Sequence, residues 1–389
     1  MKRTLQSGKP YAGNPHVRFD EGAGAPRHSG RSALLYIIGA AAVAVGATLP
    51  ANAAWSSDVY TQTTNGATWR FKIDTDSGRA MLGTITGTSY ASGGLATSGT
   101  ITGNWTLPET LEADGVQYTV TDLGRGCFEG YSELTSLVLP NIYFFRRYVF
   151  NNCKALKSLW LKGPNKASSG SQTYVSLATD GNNAVTSCFN GCSGLKTVLV
   201  GPYLEHSTAP QFAVAATDCV LFLPRSSGHT TWNSYTMGGS GTVRQFYGPT
   251  EDLDLEIDET KGTIAATVSS ASALTNVLNA VASFRDDFGL APSINVTNVI
   301  EVGAGLVTAD NAQYLAKSFS SLVFKVTTQS QLRTLLDNIP SSVPFAINPA
   351  DSKEELTVDA GRVVYVRLSA EGRQGKYTPK IKGMVIIVR

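Results

Sequence analysis

Histidine is scarce in this chain, with four in 389 residues. Two of them, His16 and His28, sit in an N-terminal stretch of export character, which leaves only His206 and His229. Both lie among Ser, Thr, Pro or Gly and read as loop residues. A Ser-His-Asp triad needs a nucleophile and base brought together by the fold, and no nucleophile-elbow pattern is present. A Walker loop, a dinucleotide fingerprint and an HExxH helix are also missing. Charge is thin as well, at 16% of residues, with no basic block of the kind that binds nucleic acid. Cysteine is confined to Cys127, Cys153, Cys188, Cys192 and Cys219, an odd set that leaves at least one thiol unpaired. Cys188 and Cys192 lie near His206, but the second tight ligand pair of a zinc site is lacking. No cofactor, no metal and no catalytic residue is expected.

The N-terminus carries a pattern of its own. Six basic residues (Lys2, Arg3, Lys9, Arg18, Arg27, Arg31) oppose Asp20 and Glu21 before an apolar run from Ala33 to Leu49. Pro50-Ala51-Asn52-Ala53-Ala54 then supplies small residues at an A-x-A site. This is the order of a secretory signal peptide, residues 1–54, with an uncleaved anchor as the competing reading. The segment is net positive by four against +2 for the whole chain, so the remainder carries about −2. Export would permit disulfides. It would also put the protein outside the cytoplasm, secreted or on the cell surface.

Residues 118–224 contain a repeat that is read from spacing. Phe128, Tyr131, Leu134, Leu137 and Leu139 form one apolar ladder. Phe150, Cys153, Leu156, Leu159 and Leu161 form a second, and Phe189, Cys192, Leu195, Val198 and Val200 a third. Each ladder steps by three, three, three and two. Steps of three keep one face of a tight helical turn inward, and a step of two keeps one face of a strand inward. One such unit cannot bury its apolar edge alone, whereas stacked units form a continuous core. Strand ends fall at Leu139, Leu161, Val200 and, more faintly, Leu223, each followed shortly by a proline (Pro140, Pro164, Pro202, Pro224). The intervals are 22, 39 and 23 residues, so an insertion is expected at 163–183, where Gly, Ser and Asn predict an exposed loop.

These residues resemble the BspA-like leucine-rich repeats of bacterial surface proteins. The match includes Tyr118 to Leu123 ahead of Cys127-Phe128, Phe150 to Cys153, and Phe189 to Leu195. It extends to Cys219 to Pro224 with Trp232 and Tyr235 as a closing strand and tail. Upstream, Trp69 to Ile73 and Thr106 to Thr110 resemble the strands that open such arrays. The resemblance covers about 66–250. It implies a short leucine-rich-repeat solenoid and binding to host or neighbouring-cell proteins or glycans. The array departs from the family in having few repeats, with Asn141 to Tyr148 and the insertion replacing short linkers. Cys153 and Cys192 take the same inward position of successive units, as buried thiols or as a bridge.

The expected fold class is α+β: a β-rich N-terminal cap (55–117), the solenoid (118–250) and a separate α+β domain (251–389). In the last, Leu253 to Ile257 and Thr263 to Val268 predict a hairpin. Leu274, Val277, Leu278, Val281 and Phe284 are spaced for a helix over 271–288. Strands are expected at 293–302, 322–326, 363–368 and 384–388, and helices at 309–319 and 329–339. The carboxylate pairs Asp286-Asp287 and Glu354-Glu355 read as solvated. Met384 to Val388 is too short to cross a membrane.

Two groups of candidate binding residues follow. Within each repeat strand the residue between the last two inward positions must face outward. Those residues are Val138, Trp160, Leu199 and, in the closing strand, Phe222. An apolar stripe of this kind marks either a binding surface or a face covered by another part of the chain. Phe144, Arg146, Arg147 and Tyr148 place rings and guanidiniums in one inter-unit segment, the composition of an interface anchor. The alternatives to an adhesion protein are an envelope protein that binds partners of its own cell, and a glycan-processing enzyme with its site in 251–389.

Overall fold

The computed structural model describes residues 54–86, 94–163, 175–179, 188–206, 219–224, 245–247, 252–301, 306–308, 311, 322–338, 345–348, 364–368 and 387–388. The expectations for the export segment, His229, Trp232, Tyr235 and Glu354-Glu355, and nearly all of the 309–319 helix, lie outside those residues. Of two compact units, Met1–Ala44 and Val45–Arg389, everything below belongs to the second. It is mostly sheet with few helices.

The chain enters through antiparallel strands Tyr60–Thr64, Ala67–Asp74 and Arg79–Leu82. Asn65-Gly66 joins the first two, and Asp114-Gly115 joins Thr110–Ala113 to Val116–Leu123. All four of these turn residues have positive φ, the backbone of a two-residue turn whose twist suits a tight hairpin. Alternation along Ala67–Asp74 buries Trp69, Phe71 and Ile73.

From Val116 onward the chain winds between two sheets. One is six-stranded and wholly parallel. Its strands, in spatial order, are Gln245–Tyr247, Val220–Phe222, Thr197–Val200, Ser158–Leu161, Leu134–Leu139 and Gly103–Thr106. The other is eight-stranded and gains Phe144–Phe145, Val175–Thr179 and Leu204–His206 as parallel additions beyond Val116–Leu123. Two loop expectations are corrected here: Val175–Thr179, inside the anticipated exposed insertion, is a strand, and His206 ends one. Pairing with neighbouring strands supplies hydrogen bonds that composition alone does not reveal.

The ladder residues stack unit on unit. Phe128 lies 5.5 Å from Phe150, and Phe150 lies 5.1 Å from Phe189, with interplanar angles of 17° and 19°. The backbone repeats as well, with Phe128 N donating to Val149 O and Phe150 N to Cys188 O, both at 2.9 Å. The steps of three are tight turns rather than helix. Cys153 N bonds Phe150 O at 3.1 Å and Leu156 N bonds Cys153 O at 3.2 Å, and the third unit repeats this at Cys192 and Leu195. Two residues after each stacked Phe the backbone turns left-handed, at Gly130, Asn152 and Gly191. Gly, and after it Asn and Asp, take that geometry most readily. The residue after each Phe continues a polar row: Asn190 Nδ2 donates to Asn151 Oδ1 at 3.0 Å, and Asn151 Nδ2 to Glu129 Oε1 at 2.6 Å.

All five cysteines are buried free thiols. Cys153 Sγ donates to Phe128 O at 2.9 Å and Cys192 Sγ to Phe150 O at 3.0 Å, each reaching the preceding unit. Burial pushes the Cys153 thiol up to about 12, so it stays protonated.

Past the repeats, Leu253–Asp258 and Thr263–Val268 form the expected hairpin. Helix α1 (Ala271–Ala282) is capped by Ser270, whose side chain accepts from Ala273 N. The helix runs into a π-turn over Ser283–Asp287, closed by Phe288 N on Ser283 O at 3.0 Å. Strand Ala291–Val296 returns parallel to Thr263–Val268, completing a β-α-β unit. A second sheet joins Ile300–Glu301, Leu322–Val326, Val364–Leu368, Phe345–Asn348 and Ile387–Val388. Of these, Phe345–Asn348 was not anticipated. Helix α2 (Gln329–Asn338) follows Leu322–Val326.

Candidate interaction surface

Parallel register lines up the outward residues of the six-stranded sheet in rows. Val138 pairs with Trp160, Trp160 with Leu199 and Leu199 with Phe222. Two residues earlier on each strand, Ser136, Ser158, Thr197 and Val220 form a parallel row. The sequence-predicted stripe is therefore real and contiguous, but it is not free. Val138 and Trp160 are 5% exposed, and Leu199 and Phe222 are 0% exposed. They belong to one apolar cluster with Leu274, Val277, Leu278, Val281, Phe284 and Phe288. The expectation of a ligand-binding stripe is corrected: this face is covered by other parts of the same chain, with Phe284 and Phe288 against Phe222 and Trp160. The cause is a match of shape and polarity, since the outer rings of Trp160 and Phe222 meet Phe288 and Phe284 at the π-turn that follows α1.

Aromatic pairs mark the seam. Phe222 meets Phe284 edge-on at 5.2 Å, and Trp160 meets Phe288 at 5.7 Å. The indole N–H of Trp160 has no acceptor among the described residues, so packing holds the ring. Lys162 Nζ lies 5.7 Å from the Trp160 ring and 3.1 Å from Glu259 Oε2, tying the sheet to the 253–268 hairpin. Burial raises the Glu259 carboxyl, against the pull of Lys162.

A polar group adjoins these rings. Ser158 Oγ donates to Asp287 Oδ2 at 2.5 Å and lies 2.7 Å from Ser283 Oγ. Asn104 Nδ2 donates to Asp287 Oδ1 at 3.0 Å, while Asn104 Oδ1 accepts from Thr135 Oγ1 at 2.7 Å. Asp286 is exposed as expected, but Asp287 is half-buried. The solvated reading of Asp287 is corrected. What separates it from Asp286 is the docking of Ser283 to Phe288 on the sheet.

The second candidate group divides. Phe144, Arg147 and Tyr148 are half-buried, whereas Arg146 is buried, with its Nη1 donating to Thr86 O at 2.7 Å. Its guanidinium lies 5.4 Å from the Phe144 ring, and that of Arg125 lies 5.1 Å from the Tyr148 ring. Tyr148 has a φ of 60°, a left-handed conformation rare for a bulky residue. Phe145 is wholly inside, 6.2 Å from Phe150. Behind this segment lies a buried ion pair that sequence reasoning missed. Arg79 Nη2 meets Asp122 Oδ2 at 2.5 Å, with Thr121 Oγ1 donating to the same oxygen at 2.7 Å. Burial pushes the Asp122 carboxyl up, and Arg79 opposes the shift. The pair binds the entry strands to the first repeat unit. It was illegible because Arg79 and Asp122 are 43 residues apart.

Among the described residues no group of His, Cys, Asp or Glu could hold a metal ion. No described helix is long and apolar enough to cross a membrane.

No family model matches the chain, and no curated protein matches it. Among solved structures it is similar to a leucine rich cell surface protein from Faecalibacterium prausnitzii A2-165. Identity is 14%, covering 65% of this chain and 76% of that one, with a TM-score of 0.24.

Proposed function

We propose that the chain is an exported, non-enzymatic interaction protein of the bacterial surface or its surroundings, built on a short BspA-type leucine-rich-repeat solenoid. In this reading residues 55–117 cap the array, 118–250 form it, and 251–389 are a domain docked on its outer face. The observation that carries the proposal is the stacking of Phe128, Phe150 and Phe189 on successive turns, with strands and polar row in step. Repetition of this kind builds a surface rather than a reaction centre. The signal-type N-terminus supports export.

The partner in this proposal is an extracellular protein or glycan of a host or neighbouring cell, with no nucleic acid and no cofactor. Since the stripe is covered, contact falls to the half-buried segment of Phe144, Arg147 and Tyr148. Rings beside guanidiniums suit such contacts. The test is solid-phase binding of residues 55–389 to matrix proteins, mucins and glycans, beside Phe144→Ala and Arg147→Ala variants matched for folding by circular dichroism. Saturable binding that both substitutions weaken about tenfold, roughly 1.4 kcal/mol, supports the reading. Binding untouched by either removes this segment from the site. Absence of binding throughout favours an envelope protein with partners of its own cell.

A further inference from the structure

The polar group at the seam poses a question that stacking does not answer. An interface closed by Phe222 on Phe284 and Trp160 on Phe288 has no need of a carboxylate, yet Asp287 sits against it. We propose that Asp287 is a proton-sensitive latch, holding the helical segment on the sheet most tightly when its carboxyl is neutral.

The geometry carries this. The donors that reach Asp287 across the seam, Asn104 and Ser158, are uncharged. Among the described residues no Lys, Arg or His pairs with it. On its own segment the neighbour is a like charge, Asp286, with which the adjacent cation pairs: Arg285 Nε lies 2.8 Å from Asp286 Oδ1. The charged pair elsewhere in the seam is Lys162 with Glu259, whose charges lie 3.1 Å apart. Donor accounting admits both protonation states. Ser158 has one hydroxyl proton, and if it goes to Asp287, then Ser283 must supply the proton of the Ser158–Ser283 contact. A neutral carboxyl can instead donate into this chain and loses less on burial.

The direction of the effect follows. Burial, the largest influence, raises the Asp287 carboxyl, with Ser158, Ser283 and Asn104 opposing and Asp286 adding to the rise. A group whose pKa is higher in the docked state takes up a proton on docking. Its stabilising contribution is complete below the ordinary carboxylate range and is lost as pH rises through the raised value. Docking therefore tightens in acid and relaxes toward neutrality.

Hydrogen exchange on the full chain reads this at the seam itself. The amides of Phe288 and Leu290, bonded to Ser283 O and Phe284 O, report the π-turn. Their protection, corrected for intrinsic exchange, is compared at about pH 4.5 and about pH 7.5 in wild type, Asp287→Asn and Asp287→Ala. The expected result is protection several-fold higher in acid for wild type. Asp287→Asn should be protected at both pH values, because Asn resembles the neutral acid, and Asp287→Ala should be weaker at both. Wild-type protection that does not change with pH overturns the latch, even if neither variant folds. An Asn variant that keeps the wild-type pH dependence also overturns it, and assigns the response to Glu259. An Asn variant as weak as Ala at both pH values reduces Asp287 to an ordinary structural acceptor.

Discussion

The two faces of the six-stranded parallel sheet are built on the same backbone by different rules. The inner face is periodic. Leu137, Leu159 and Val198 repeat one position and Leu139, Leu161 and Val200 another, so each unit packs on a near copy of itself. The outer face carries Val138, Trp160, Leu199 and Phe222, four side chains of unequal size that share a cluster with Phe284, Phe288 and other residues beyond the repeats. A face that meets copies of itself must have self-complementary residues, which is why its spacing is regular. A face that meets one partner needs only to fit that partner, and its residues can vary freely.

Three experiments sharpen this contrast. The largest effect is expected at Phe150, which stacks on a ring at either side. Phe150→Ala should cost about 3–5 kcal/mol, measured by denaturant unfolding, because one truncation opens gaps in two unit-to-unit contacts. A loss below ~1 kcal/mol would mean that the units do not depend on the stack. At the outer face, a double-mutant cycle of Phe222→Leu with Phe284→Leu should show a coupling of about 1 kcal/mol from their edge-on contact. Zero coupling would mean that the seam is held by area alone and not by ring geometry. The remaining effect is at the left-handed turn position. Asn152→Ala should destabilise by about 1–2 kcal/mol and Asn152→Gly by much less, since Gly already fills that place at 130 and 191. Equal losses for the two would remove the backbone argument and leave only side-chain contacts.

Much of this was visible in the residues. The steps of three and two located the strands at Leu134–Leu139, Ser158–Leu161 and Thr197–Val200, because burial on one side of a repeated path imposes that period. The hairpin at 253–268 and helix α1 were likewise local patterns. The short strands Phe144–Phe145, Val175–Thr179 and Leu204–His206 were not, because two to five residues hold too little periodicity to read. The π-turn was hidden as well: Ser283 to Phe288 continues the helical spacing, and only the Phe288 N to Ser283 O bond reveals the change.

The candidate surface shows the same division. That Val138, Trp160, Leu199 and Phe222 share a face follows from strand alternation, and alternation is a property of the chain itself. Whether the face meets solvent, a ligand or another part of the molecule is not a local property, because it depends on segments remote in the chain. By itself the sequence determined the repeat path, the inward ladder and the outward stripe, since each arises from periods of two or three along the backbone. Only the tertiary structure decided that the stripe is closed by Phe284 and Phe288, that Asp287 rather than Asp286 faces the sheet, and that Arg79 reaches Asp122. Those outcomes depend on long-range docking, where shape and desolvation outweigh any local preference.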